Sequence, residues 1–211
     1  MTIPIALYIP NLLGYCRIAS AFLGLHFSST APKLAIAIWI FSASLDLIDG
    51  MLARALNQTS SLGVLLDIAA DNILRTVMWI AASAADPSCS SLAALVLSLE
   101  WITMVATQLH AAQSGTHWKK SRNNDPRFIQ MIFANNFRTP LGIWCIYGLF
   151  CAPVLCYATS KKDLVEIFPL IDTWKYLAYS GRLISAMAET WLTTGYLSMV
   201  IERDSRARKS S

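Results

Sequence analysis

Four aspartates, Asp46, Asp49, Asp67 and Asp71, lie in segments otherwise apolar enough to cross a membrane. On helices, at about 100° per residue, Asp46, Asp49, Gly50, Ala53 and Arg54 fall within an arc of roughly 140°. Gly63, Asp67 and Asp71, each four residues apart, form a second stripe about 80° wide. The polar break at 55–61 (ALNQTSS) lets the two helices fold back antiparallel, so that the acidic stripes face each other across one cavity. Four carboxylates that close cannot all stay charged and unpaired at membrane depth, where each costs on the order of 2.5–3.5 kcal/mol. Either some are protonated or divalent cations neutralise them. An all-oxygen donor set suits Mg²⁺ or Mn²⁺, whereas the chain has no Cys/His cluster for zinc. Two such ions beside an arginine form a receptor for a pyrophosphate. Gly50 and Ala53 on the same face leave room for a bulky ligand to approach the backbone.

The elements that must position these groups are helices. Hydrophobic residues make up 55% of the 211, charged residues 14%, and the mean hydropathy is +0.47. Those values predict an all-α membrane protein with six transmembrane helices and a cytosol-facing polar cavity. The spans fall at about 10–27, 32–54, 62–84, 91–113, 140–157 and 169–201, forming one domain over 1–201 and a polar, disordered cytosolic tail over 202–211. The long sixth span, with Lys175, Arg182 and Glu189, starts as an interfacial helix. Arg17 interrupts the first span and is read as pairing inside the bundle or snorkelling, in preference to catalysis. Asn57, Gln58 and Thr59 are read as turn and capping residues. Trp101, Trp118 and Trp174 are read as interfacial belts.

Sidedness follows from basic residues in the loops. With the first end inside, Arg54, Lys119, Lys120, Arg122, Arg127, Arg138, Arg203, Arg206, Arg208 and Lys209 share one face, against Lys33, Lys161 and Lys162 on the other. Both termini and the acidic site therefore face the cytosol. A net charge of +4 is too modest to point to nucleic acid. Five cysteines, Cys16, Cys89, Cys145, Cys151 and Cys156, without CxxC spacing indicate neither a disulfide framework nor a metal site. The first apolar stretch lacks the basic flank and cleavage site of a signal peptide and is read as a retained anchor.

The pattern Asp46-x2-Asp49-Gly50-x2-Ala53-Arg54-x8-Gly63-x3-Asp67-x3-Asp71 resembles the signature of the CDP-alcohol phosphotransferases at every fixed position. Within that family, YIPNLLGYCRI near the start and LARALNQ inside the signature look like eukaryotic phosphatidylinositol synthases. The resemblance implies phosphatidyl transfer from CDP-diacylglycerol to myo-inositol with two Mg²⁺ or Mn²⁺ ions, in the endoplasmic reticulum membrane, and leaves a homodimer open. It implies that Asp46 and Asp67 contact both ions, Asp49 one, and Asp71 the second while also acting as general base. It implies further that Gly50 and Arg54 hold the nucleotide and diphosphate, and that Ser60 contacts the liponucleotide. The sequence departs from that pattern at the acceptor side. Glu100-Trp101-Ile102-Thr103 keeps an acidic residue but not the expected histidine, and Asn72 stands where arginine is usual. Glu100 and Arg138 are the acceptor candidates, with His117 and Asn136 beside them in the long polar loop. Other readings are transfer to another small alcohol, use of a CDP-activated headgroup on diacylglycerol, a divalent-cation transporter, or a silent scaffold. A transporter should carry polar residues stepping across the whole membrane, whereas these aspartates cluster at one side.

Overall fold

A computed structural model of the chain describes residues 4–114, 125–168 and 170–210. His117, Trp118, Lys119, Lys120 and Arg122, named above, lie outside the described residues, as does position 169. Eight helices are present among the described residues, with no strand: α1 Ile9–Phe27, α2 Pro32–Ala55, α3 Ser61–Ala85, α4 Ser90–Ser114, α5 Arg127–Phe133, α6 Pro140–Thr159, α7 Lys162–Val165 and α8 Ile171–Ser210. The six long ones match the expected spans to within a few residues at nearly every boundary. Pro10, Pro32 and Pro140 stand in the first turns of α1, α2 and α6, where a missing N–H breaks no helical bond. Among the described residues, three segments are long and apolar enough to cross a membrane, Pro32–Ala55, Pro87–Gln113 and Pro140–Thr159. The expectation of six spans is thus met at three. In α3 the charges Asp67, Asp71 and Arg75 interrupt the apolar run.

The surface also reads as lipid-facing. Leu47 on α2 is 72% exposed, Leu95 on α4 72% and Leu183 on α8 65%, whereas Arg17, Glu100 and Arg182 are buried. Large apolar side chains outside and charges inside suit a hydrocarbon solvent better than water.

Two compact units divide the described chain. The first holds α1 to α3, the short 3-10 turn Pro87–Cys89, the start of α4 and Pro153–Ile171. Here α1 packs along both α2 and α3, which touch each other much less. Trp39 on α2 is buried over Gly24 of α1, where a Cβ would run into the indole, and its Nε1 donates to Ala21 O at 3.2 Å. Tyr157 stacks edge-on against Trp39 at 5.4 Å and donates its hydroxyl to Ser28 O at 2.5 Å. These contacts tie the end of α6 to the C-terminus of α1.

The second unit holds the remainder of α4, α5, α6 up to Ala152, and α8. Gly148 of α6 and Gly181 of α8 meet backbone to backbone, an approach that any Cβ would block. Buried Arg182 pairs with Glu100 at 3.3 Å and Glu189 at 2.9 Å, and Thr103 meets Thr193 at 3.0 Å. Ile129, Ile132, Cys145 and Ala188 form an apolar core there. Helix α5 falls in the segment read as a polar loop. The tail read as disordered instead continues α8 to Ser210.

Candidate metal and active site

The acidic groups come from two helix ends joined by a tight turn. Helix α2 stops at Ala55, and Asn57 turns the chain in the left-handed region (φ 53°), which Asn tolerates. Ser60 caps α3, its Oγ accepting from Gly63 N at 3.0 Å. Gln58 Oε1 accepts from Ile9 N at 2.9 Å, fastening the turn to the start of α1. Gly63 is required by close packing, since a Cβ there would lie 2.8 Å from Asn11 Oδ1. Asn11 is buried and donates Nδ2 to Ile5 O at 2.6 Å. One oxygen each of Asp46, Asp49 and Asp67 then lies within 4.8 Å of the others.

Arg17, from the middle of α1, enters the centre of this group. Its Nη1 lies 2.9 Å from Asp46 Oδ1, 2.9 Å from Asp49 Oδ2 and 2.9 Å from Asp67 Oδ1, and its Nη2 2.5 Å from Asp71 Oδ1. The side chain is 1% exposed, and its own carbonyl accepts from Ser42 Oγ at 3.0 Å. The acidic stripes therefore face each other, with α1 supplying the cation between them. Pairing inside the bundle, as the sequence suggested for Arg17, is what the structure shows, and all four signature aspartates are the partners. Arg75 stands 4.0 Å from Asp71 and donates to Asn72 Oδ1. The position where arginine was expected is thus Asn72, with a guanidinium one turn further along α3.

The donor set fits a hard divalent cation. Three carboxylate oxygens from two helices converge, Asp46 and Asp67 are 42% and 45% exposed and so reachable by ions, and no sulfur or imidazole ligand is among them. Asp71 lies outside that trio but shares the guanidinium. The remaining expected site residues are spread more widely. Gly50 faces open space except for Arg54 Nη1, 3.7 Å from where a Cβ would sit, and Arg54 is exposed near the end of α2. Ser60 serves as the cap of α3. Glu100 belongs to the second unit, in the buried ion pair with Arg182, and Arg138 is exposed just ahead of α6. Asn135, Asn136 and Phe137 before it all have positive φ, of 52°, 55° and 63°.

Sequence reading did not place Arg17 among the aspartates and gave no role to Asn11 or Arg75, whereas Gln58, read as a turn and capping residue, does hold the turn. Asn11 and Arg17 both sit in YIPNLLGYCRI, the stretch that carries the family resemblance.

Among the described residues the protein is all-helical, with three helices apolar enough to cross a membrane and a carboxylate cluster that could hold a metal ion. Residues 7–174 match the family model described as CDP-alcohol phosphatidyltransferase. The chain is 31% identical over 114 residues to the CDP-diacylglycerol–inositol 3-phosphatidyltransferase of Rattus norvegicus, covering 52% of this chain and 54% of that protein. Against the protein of the same name from Schizosaccharomyces pombe the identity is 27% over 133 residues, covering 61% and 55%. Against a probable CDP-diacylglycerol–inositol 3-phosphatidyltransferase 2 of Arabidopsis thaliana it is 31% over 182 residues, covering 80% and 79%. The chain spans about half the length of the rat and yeast relatives it matches. No solved structure matches significantly. This chain belongs to the CDP-alcohol phosphatidyltransferase family.

Proposed function

We propose that this chain transfers the phosphatidyl group of CDP-diacylglycerol to myo-inositol, releasing CMP. The observation that carries the reading is the convergence of Asp46, Asp49 and Asp67 within 4.8 Å, with Asp71 on the same guanidinium. Arg17 and Arg75 carry half the charge of four ionised carboxylates, and protons or bound cations meet the remainder. Asp46, Asp49, Asp67 and Asp71 would hold two Mg²⁺ or Mn²⁺ ions. Such ions, when bound, supply charge stabilisation at the attacked phosphate and the leaving oxygen.

The chain's own groups do the rest. Gly50 leaves the space in which the diphosphate approaches the α2 backbone, and Arg54, exposed at the end of that helix, reaches its negative oxygens. Ser60, while capping α3, stands at the turn where the liponucleotide enters. The inositol hydroxyl oxygen attacks the β-phosphorus. Its proton passes to Asp71 as the bond to the CMP oxygen breaks. Names of relatives support inositol, and one chain supplies every carboxylate of the cluster. We take residues 1–201 as one catalytic domain, with both termini and the acidic turn on the cytosolic side of the endoplasmic reticulum membrane.

The test is CMP release from CDP-diacylglycerol by purified protein across a panel of alcohols, with Mn²⁺ or Mg²⁺. Release with inositol and not with glycerol phosphate or serine is expected. Release with another alcohol but never with inositol would move the acceptor assignment while keeping the chemistry. Release with none would sink the reading.

A further inference from the structure

Two thiols meet at the end of the first unit remote from the aspartates. Cys89, in the turn between α3 and α4, has its Sγ 2.6 Å from Sγ of Cys156, near the end of α6, 67 positions along the chain. A disulfide needs sulfurs at about 2.05 Å, so these two lie within a small side-chain rotation of bonding. Both belong to the same compact unit, whose contacts fix the two ends beside each other. Tyr157, next to Cys156, is anchored to Ser28 and Trp39. Cys89 sits in a 3-10 turn whose first residue follows the Asp86 cap, with Asp86 Oδ1 accepting from Ser88 N at 2.9 Å. The pairing is therefore held by backbone on both sides. Cys16, Cys145 and Cys151 show no comparable approach, and no CxxC spacing signalled the pair because it forms only through the fold.

We propose that Cys89 and Cys156 are a redox-active pair that closes into a disulfide stapling the α3–α4 turn to the end of α6. Cys89 is half-buried and Cys156 fully buried, which sets the order of events. A disulfide-bearing oxidant, such as glutathione disulfide or the disulfide of a thiol oxidase, is attacked by the Cys89 thiolate. A mixed disulfide forms on Cys89 and one thiol of the oxidant leaves. The Cys156 thiolate then attacks Cys89 Sγ and expels the second thiol. Two protein thiols become one disulfide, and one oxidant disulfide becomes two thiols, so electrons and protons balance. Along α3 the thiols stand at the opposite end from Asp67. With the aspartates on the cytosolic side, the pair faces the oxidising compartment in which such bonds persist. The chemistry itself does not depend on the phosphatidyl-transfer reading.

Full-length protein in detergent micelles, reduced and desalted, is divided in two, and one half is treated with glutathione disulfide. Both halves are then unfolded, blocked with N-ethylmaleimide and read by intact mass and peptide map. The reduced half should take up maleimide on all five cysteines, the oxidised half on two fewer, with the Cys89 and Cys156 peptides joined. Thermal unfolding of the oxidised protein should begin at a higher temperature, and Cys89→Ser and Cys156→Ser should each remove that difference while Cys16→Ser keeps it. Equal labelling of both halves, a glutathione adduct persisting on Cys89, or a bridge between any other two cysteines would overturn the proposal.

Discussion

The charge balance of the acidic centre turns on Arg17. A guanidinium 1% exposed and within 2.9 Å of four carboxylates is the element that lets those carboxylates coexist before any ion arrives. Removing one partner of a buried ion pair costs about 3–5 kcal/mol, and the solvent reaching Asp46 and Asp67 places this case toward the lower end. Arg17→Met should therefore lower the unfolding temperature sharply in chelator, and Mn²⁺ should restore more of it than it adds to the wild type. An equal response of both proteins to Mn²⁺ would contradict the shared role of arginine and ion. Asp71→Asn tests a different function: CMP release should fall by about 10²-fold or more, the range for losing a general base, while CDP binding is retained. Asp46→Ala should instead weaken metal and liponucleotide binding together; calorimetric titration separates the two variants. The aspartates were legible because four acids in apolar runs at helical spacing are too costly to be incidental. For Arg17 pairing inside the bundle was legible but its partners were not, because a single cation in an apolar helix carries no periodic signal and those partners lie on two other helices.

Helix boundaries decide whether those side chains can meet. Ser60 both starts α3 and stands at a position assigned to the liponucleotide, and the two roles separate by measurement. Loss of an N-cap costs about 1 kcal/mol, so Ser60→Ala should lower stability by that amount. Ser60→Asp, which keeps a cap acceptor, should hold stability but raise KM for the anionic liponucleotide. A Ser60→Ala protein of unchanged stability would remove the capping role. The six long helices could be read from apolar runs ended by proline, Asn57 and the polar turns. Helix α5 could not, because its short run RFIQMIF sits in a polar segment and is stabilised by burying Ile129 and Ile132 in the second unit. The tail was misread from composition alone. Residues after Glu202 are charged, but Glu, Arg, Ala and Lys are good helix formers, and Arg206 pairs with Glu202 one turn back at 3.5 Å.

Binding of ions, burial of charge and membrane sidedness bear on the protein as one object. A ligand present at a hundred times its dissociation constant stabilises the folded state by about 2.7 kcal/mol, so Mn²⁺ should raise the unfolding temperature of the wild type and chelator should lower it. The proposed sidedness rests on a separate argument, the excess of Arg and Lys on one set of loops. Helix α2 ends and α3 begins at the acidic turn, so that turn and the basic segment after Glu202 should share a face, while the loop carrying Lys161 and Lys162 lies on the other. Protease sites placed at Gln58, after Glu202 and at Ser160, one per variant, can be read in sealed microsomes whose cytosolic face is outward. The first two should be cut in intact vesicles and the third only after detergent. Cleavage at Ser160 in intact vesicles, with Gln58 protected, would put the carboxylates on the side where a cytosolic nucleotide-activated lipid headgroup cannot reach them, and the phosphatidyl-transfer reading would fail with the topology.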